Sequence, residues 1–193
     1  EEVAYTWFNR LIAIRFMEVN DYLPSHIRVL SSESIEKNEP DIVTDPFDAN
    51  MTFSEDEKKK ISQLKDDNHI DELFKYLFVK QCNELSNSLP MLFEKTDDYS
   101  ELLLNVPVTD HEGIVYHLIH DIPEENFDVN ALDDNGNPIG QVEIIGWMYQ
   151  YYNEERKNAV INIYKGVVKK EDIPAATQLF TTDWVVKYIV DNS

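Results

Sequence analysis

Few residues in this chain have the types and spacing that metal or acid–base chemistry requires. Two of its five histidines, His117 and His120, share one face of a predicted helix at positions i and i+3. A zinc site needs such a pair together with further ligands, for which Asp121 and His111 are the nearest candidates. A histidine pair without a complete ligand set is usually structural, so the sequence predicts no metal site.

Nucleophilic and nucleotide-binding motifs are also missing. The single cysteine, Cys82, lies on the apolar face of a predicted helix, which favours a buried and inert thiol over a nucleophile. One cysteine cannot form an internal disulfide, so a reducing cytoplasm is the expected compartment. The sequence contains no glycine-rich phosphate loop, no Gly-x-Ser-x-Gly and no His-Glu-x-x-His. We therefore expect no catalytic residue in this chain.

The charge of the chain is strongly negative and unevenly distributed. The net charge is −20, and most of it comes from 31–57, which sum to −8, and 101–135, which sum to −9. Binding of phosphates needs a basic surface, so a chain this acidic is a poor nucleic-acid or anionic-membrane binder when it stands alone. No apolar run approaches the ~18 residues of a membrane span, and no signal peptide is present.

Apolar residues recur at the three- and four-residue steps of amphipathic helices over most of the chain. The pattern predicts a mostly α fold: a multi-helix array with long acidic loops and little or no β-sheet. In 54–65 the helix starts with a capping box formed by Ser54 and Glu57. The predicted helical segments are the first ~20 residues, 54–65, 69–87, 99–104, 114–122, 140–157 and a last helix from about 183.

Three features have both a structural and a functional interpretation. Arg15 interrupts the apolar stripe of the first helix, and pairing of its head with a carboxylate is favoured over an anion site. The Trp- and Tyr-rich segment 140–157 is typical of a buried helix, although clustered aromatics also stack on bases. Residues 133–137 (DDNGN) indicate a tight turn, because the residues that an EF-hand needs at 138 and 144 are absent.

Three blocks of sequence resemble one protein family. Residues 4–18 (AYTWFNRLIAIRFME) and 142–153 (VEIIGWMYQYYN) resemble the N-terminal helical region of PglX-like adenine-specific DNA methyltransferases. These are the large methylases of BREX phage-defence systems, with relatives among the methylase subunits of type II restriction enzymes. Residues 172–188 (DIPAATQLFTTDWVVKY) look like the family's segment just before its cofactor-binding strand.

The resemblance implies a division of labour within a longer parent enzyme. Residues 1–157 would form a helical N-terminal domain with 31–57 as an acidic loop or insertion. Residues 158–193 would form a linker and the first helix leading into a methyltransferase domain that this chain lacks. The implied role is to scaffold that catalytic domain or partner subunits of the defence system. DNA would be contacted through the parent enzyme, in the cytoplasm and without a membrane.

The same resemblance implies cofactor contacts at one place only. In related amino-methyltransferases a Gln-x-Phe-Thr-Pro segment helps to enclose the methionine end of S-adenosylmethionine, which marks Phe180 and Thr181 as candidate cofactor-binding residues in the full-length enzyme. Thr182 stands where that pattern usually has proline. From the residues alone, Thr181 or Thr182 is expected to cap the last helix through its hydroxyl. No cofactor is expected to bind this chain by itself.

A second interpretation has no link to methylation. An acidic protein-interaction module, or a DNA mimic that occupies a partner's basic groove, also fits the charge. That reading requires 31–57 and 101–135 to lie side by side with aligned carboxylates. Direct DNA contact would instead need a basic patch, for which the candidate residues are Lys58, Lys59, Lys60, Lys165, Lys169 and Lys170.

Overall fold

Helices make up nearly all the regular structure of the chain as far as it is described. The structure, a computed structural model, describes residues 2–34, 37, 39–90, 92–93, 104, 106–138, 146, 157–158, 170, 173 and 181–193. Its helices are α1 (Glu2–Val19), α2 (Asp41–Thr44), α3 (Glu55–Asp66), α4 (Ile70–Leu85), α5 (Ile114–His120) and α6 (Asp183–Asp191), with a 3-10 turn at Glu124–Asn126. Among these residues, β pairing is limited to a bridge between Leu132 and Pro138. The prediction of a mostly α fold is confirmed.

The chain divides into two compact units, Glu1–Gln141 and Val142–Ser193. Of the predicted helix 140–157, only Gly146 and Lys157 lie within the described residues, and of the predicted turn 99–104 only Leu104 does. These two predictions therefore fall outside the described structure. The domain boundary expected between 157 and 158 stays a prediction.

Helix α1 is enclosed by the rest of the first unit. Every residue from Arg10 to Arg15 is buried, so no side of the middle of the helix faces solvent, because about 3.6 residues complete one turn. Trp7 packs on α4, with its ring centroid 6.1 Å from that of Phe78. The expectation of a single apolar stripe is too narrow here, because Arg10, which flanks the predicted stripe, is buried as well as Arg15, which lies within it.

Helices α3 and α4 form a hairpin whose start is fixed by local hydrogen bonds. The Ser54 hydroxyl accepts from the Glu57 amide at 3.3 Å, and the Glu57 carboxylate accepts from the Ser54 amide at 2.8 Å. The predicted capping box is confirmed, and α3 ends within a residue of the predicted position.

One face of α4 supplies much of the core. Phe74 and Phe78 stack at 5.5 Å between ring centroids. The buried side chains of this helix are Leu73, Phe74, Leu77, Phe78, Gln81, Cys82 and Leu85. Except for Gln81, these are residues that the helical spacing placed on the apolar face, so the prediction for α4 is confirmed.

The first acidic stretch is a loop that contributes to the core. Within it, α2 carries Ile42 and Val43, both fully buried. The Asp41 carboxylate accepts hydrogen bonds from the Ser32 hydroxyl at 2.6 Å and from the Glu33 amide at 2.9 Å. Two buried aliphatic side chains thus attach the stretch to the core, and the Asp41 carboxylate holds the first residues of the same stretch in place.

The tight turn predicted at 133–137 is confirmed. The Asp133 amide donates to the Asn137 carbonyl at 2.8 Å, and the Asp133 carboxylate accepts from the amides of Asn135 and Asn137. Gly136 has a φ of +81°, a conformation that a residue with a side chain rarely adopts.

Candidate functional site

The candidate cofactor residues lie just before the last helix. Thr181 is exposed and precedes α6 by two positions, whereas Phe180 lies outside the described residues. Thr182 occupies the N-cap position with an extended backbone, but its hydroxyl makes no capping hydrogen bond. The prediction that Thr182 caps this helix through its side chain is therefore wrong. The α6 turn is closed by backbone bonds from Val185 and Val186 to the Thr182 carbonyl.

A buried ion-pair network is the most elaborate polar arrangement in the described part of the chain. Its centre is the Glu18 carboxylate, which is fully buried on α1. One oxygen accepts from the amides of Val29 and Leu30, each at 2.7 Å. The other accepts from the Ser31 hydroxyl at 2.9 Å and from the Arg15 guanidinium at 2.7 Å. Four donors therefore satisfy this carboxylate, as a buried charge requires.

Two arginines connect this centre to Glu124 in the 3-10 turn. Arg15, whose side chain is 1% exposed, donates from its second terminal nitrogen to Glu124 at 3.0 Å. Arg28 donates to both oxygens of Glu124, at 2.6 and 2.9 Å. Such two-point arginine–carboxylate pairs fix geometry as well as charge. The network thus ties α1 and the segment before α2 to a turn about a hundred residues further along.

Arg28 and Glu124 hold each other in the ionised state. The hydrogen bond from Arg28 lowers the pKa of Glu124 below its ordinary value, and the same bond raises the pKa of Arg28. Arg15 also faces the ring of Phe127, 5.8 Å from its centroid. The expected structural role of Arg15 is confirmed, because its head pairs with Glu18 and Glu124. A pattern could have flagged Glu18, which follows Arg15 by three residues within an apolar helix, whereas nothing local indicated Glu124.

A surface groove of about 670 Å³ lies between α3 and α4. At one end Glu57 accepts from the Tyr76 hydroxyl at 3.0 Å and from Lys80 at 2.7 Å. The hydrogen bond from Lys80 is the main cause that lowers the pKa of Glu57 to about 2. Burial, followed by the bond to Glu57, raises the pKa of Tyr76 to about 12. Neither group is ready to exchange a proton near neutral pH, so this cluster is suited to structure and not to acid–base catalysis.

The histidines on α5 are engaged in local contacts. His117 lies 2.8 Å from the Asp121 carboxylate, and the ring of His120 stacks on Tyr116 with 3.9 Å between centroids. His111 also contacts the Tyr116 ring, at 4.9 Å. Within the described ranges, no three or more His, Cys, Asp and Glu side chains are grouped to hold a metal ion.

Cys82 is buried on α4, as its position on the apolar face predicts. Burial raises the pKa of its thiol to about 12. Because the thiolate is the reactive form, this cysteine is inert near neutral pH.

The lysines of the hypothesised basic patch are partly neutralised. Lys58 pairs with Glu55 at 2.8 Å, Lys59 pairs with Asp56 at 3.6 Å, and Lys60 lies over the Tyr76 ring at 4.2 Å. Lys165 and Lys169 lie outside the described residues, and Lys170 is exposed. Screened exposed pairs of this kind leave little net positive charge for phosphate contacts on α3.

Carboxylates of the second acidic stretch are bonded within their own turns. Asp110 accepts from the Glu112 amide at 2.9 Å, and Asp128 accepts from the Asn130 amide at 2.8 Å. Asp133 and Glu124 are held by the contacts described above. Side-chain acceptors of this type are what Asp supplies in turns. The carboxylates of Asp110, Asp128 and Asp133 thus serve local backbone geometry.

Comparison with curated proteins finds relatives that match the whole chain, including the three blocks that resemble PglX-like methyltransferases. The adenine-specific methyltransferase PglX of Lacticaseibacillus casei is 51% identical over the whole chain, and the adenine-specific methyltransferase BrxX of Escherichia coli is 42% identical over the whole chain. The chain matches a region of the PglX and BrxX methyltransferases. It covers only 16% and 15% of these two relatives. No family model matches the chain.

The resemblance to PglX-like methyltransferases is thus confirmed along the entire chain, with the acidic stretch included. The two relatives carry this region as a minor part of a much longer protein. No described helix is long and apolar enough to cross a membrane.

Proposed function

We propose that this chain is a non-catalytic N-terminal helical domain of an adenine-specific (N6) DNA methyltransferase that uses S-adenosylmethionine. The observation that carries the proposal is the match to PglX and BrxX over every part of the chain. In this proposal the methyl transfer is performed by a domain of the parent outside these residues. The parent serves a BREX-type phage-defence or restriction-modification system in the cytoplasm.

The proposed role of the domain is to scaffold. A scaffold must keep its shape, and the Glu18 network supports this role because it joins three segments that are distant in sequence. The Arg15–Glu18 pair of this network is fully buried, and the pairs to Glu124 are partly exposed. Removing one partner of the buried Arg15–Glu18 pair leaves the other charge with one partner fewer, which is strongly destabilising. The proposed partners are the catalytic domain of the same chain and other subunits of the defence system, with DNA contacted through the parent.

Phe180 and Thr181 are proposed to contact the methionine end of S-adenosylmethionine in the parent. The Thr182 hydroxyl makes no capping bond, so the start of α6 is not closed by a side chain. The start of a helix favours a carboxylate, such as that of the methionine moiety. Calorimetry on the parent checks this: Phe180→Ala should weaken cofactor binding, whereas Lys59→Gln on α3 should not.

The scaffolding role is tested by removing residues 1–141 from the parent and measuring N6-methyladenine in genomic DNA. We expect at least a tenfold loss of methylation, with binding of S-adenosylmethionine retained as the sign that the catalytic domain still folds. Methylation at the level of the intact parent would contradict the scaffold.

The acidic interaction module is the weaker candidate. It needs carboxylates that face a partner, whereas Asp41, Asp110, Asp128 and Asp133 accept hydrogen bonds from nearby groups of their own chain. Glu124 is held by two arginines. The match of the whole chain to a region of two methyltransferases also argues against a module with no link to methylation.

A further inference from the structure

Helix α6 exposes most of its large apolar side chains. Trp184 is 71% exposed, Tyr188 66% and Ile189 56%, and Val186 and Val190 are also exposed. The apolar spacing predicts Trp184, Val185, Tyr188 and Ile189 as the inner face of this helix. That prediction is wrong for Trp184, Tyr188 and Ile189, which the structure leaves exposed. So much apolar surface on one short helix marks a site of contact.

The apolar surface of α6 covers more than one side of the helix. At about 100° per residue, the positions of Trp184, Val185, Val186, Tyr188, Ile189 and Val190 span an arc of roughly 240°. Lys187 and Asp191 lie in the remaining arc. A surface helix of one domain needs an apolar stripe of only ~100°. An arc of this width is typical of a helix that is packed between two layers.

A lipid surface does not fit this helix. Nine residues reach about 14 Å, which is under half of a bilayer core. Helices that lie in the membrane interface carry lysine and arginine along their polar face, whereas here Lys187 is offset by Asp191. We therefore expect a protein surface, and not a lipid surface, to cover the exposed apolar side chains of α6.

We propose that α6 is an interdomain helix whose exposed apolar face is covered by the part of the parent chain outside these 193 residues. This inference rests on the proposed function. The chain spans only 16% and 15% of the two relatives, so the proposed parent supplies a large body that is covalently tethered to this chain. A tether raises the effective concentration of that body into the millimolar range. Apolar contact of this extent is typical of permanent interfaces, whereas transient ones are no more apolar than ordinary surface.

Oxidative footprinting of the full-length parent tests whether the face is covered. Hydroxyl radicals modify Trp184 and Tyr188 in proportion to their exposure, and Tyr22, 54% exposed in the first unit, serves as the matched tyrosine. We expect Trp184 and Tyr188 to react at least fivefold more slowly in the native parent than in urea, with Tyr22 changing less than Tyr188. Native rates for Trp184 and Tyr188 equal to those in urea would overturn the proposal.

A photo-crosslinker identifies the occupant. We place p-benzoylphenylalanine at position 190 of the parent, and at position 187 as the control from the polar arc. Crosslinks from 190 to residues of the same chain outside the 193, together with at least fivefold lower yield from 187, are the expected result. Crosslinks to a second copy, to another subunit or only within the 193 residues would overturn it.

Failure of this proposal and failure of the proposed function give different results. Footprinting and crosslinking report packing and need no methylation. If the parent proves not to methylate adenine while position 190 crosslinks as expected, the proposed function fails and the interdomain helix stands. If methylation depends on 1–141 but α6 stays reactive, the reverse holds.

Discussion

Helices α1 and α6 are both apolar around most of their circumference, but α1 is buried in this chain and α6 is exposed. From Arg10 to Arg15, α1 is buried on every side, whereas α6 leaves Trp184 and Tyr188 largely in solvent. The periodicity of the two segments does differ, because the apolar residues of α1 are distributed around the whole helix, whereas those of α6 leave a polar arc that contains Lys187 and Asp191. The difference teaches that the width of an apolar face predicts how many neighbours a helix needs, and not whether those neighbours lie in the same piece of chain.

The two helices also differ in how they treat charge. α1 buries Arg15 and Glu18 in one network, to which Glu124 is added from a remote turn. Four donors bind the Glu18 carboxylate, whereas the Nε of Arg15 makes no hydrogen bond. α6 keeps Lys187 and Asp191 in solvent. Loss of a partner from a buried charge pair is strongly destabilising, so α1 depends on the surrounding fold more strongly than its apolar residues alone require.

The largest effect is expected from Glu18→Ala. This change removes the acceptor for two amides, one hydroxyl and Arg15, and leaves a buried guanidinium with one partner fewer. Loss of one member of a buried pair costs about 3–5 kcal/mol. Urea unfolding followed by tryptophan fluorescence measures the loss. Glu55→Gln, which breaks the exposed pair with Lys58, is the control, with a change below about 1 kcal/mol. If both variants lost a similar free energy of unfolding, the Glu18 network would not be a major source of stability for α1.

The comparison is sharpened by truncating one apolar residue in each helix of the 193-residue chain. Leu11→Ala should lower the free energy of unfolding by about 2–5 kcal/mol, because the side chain is fully enclosed and a cavity remains. Trp184→Ala should change it by less than about 1 kcal/mol, because that ring is mostly exposed. Thermal and urea unfolding of both variants provide the check. An equal loss for Trp184→Ala would mean that α6 is covered within this chain.

The smallest effect concerns pH. Pairing with the arginines lowers the pKa of Glu124 in the folded state, so its contribution is present above the unfolded pKa, near 4.3, and is lost as the pH falls through the folded value. Because Glu124 is about half exposed, we expect this contribution to be at most about 1 kcal/mol. Between pH 6 and 3, the free energy of unfolding should fall less steeply with decreasing pH for Glu124→Gln than for the wild type. An unchanged slope would show that the pair adds no pH dependence.

Local elements of the fold could be predicted because their causes are local. The capping box at Ser54, the apolar face of α4 and the turn at Asp133 depend on residues within a few positions of one another. The burial of Cys82 followed from its place on that face. The similarity to the methyltransferases was also found from contiguous blocks, since the residues that carry it are adjacent in the chain.

The candidate site was predicted less completely because its contacts are remote. The sequence indicated that Arg15 pairs with a carboxylate but did not identify Glu124, which is separated from it by most of the first unit. The acidic stretch was expected to be a loop, and the burial of Ile42 and Val43 was not foreseen, since two aliphatic residues among many acids give no periodic pattern. The Thr182 cap failed because a hydroxyl has several orientations and the pattern does not choose among them.

By itself, the sequence determined the helical class of this protein, the starts and ends of its strongest helices, its uneven charge and its similarity to adenine-specific methyltransferases. These depend on residue type and on spacing along the chain, which the sequence states directly. Only the tertiary structure decided which charges are buried together, which acids serve turns and which apolar helix stays uncovered. Those outcomes depend on segments that meet only after folding, and the energy of a buried or exposed group is set by the neighbours it meets there.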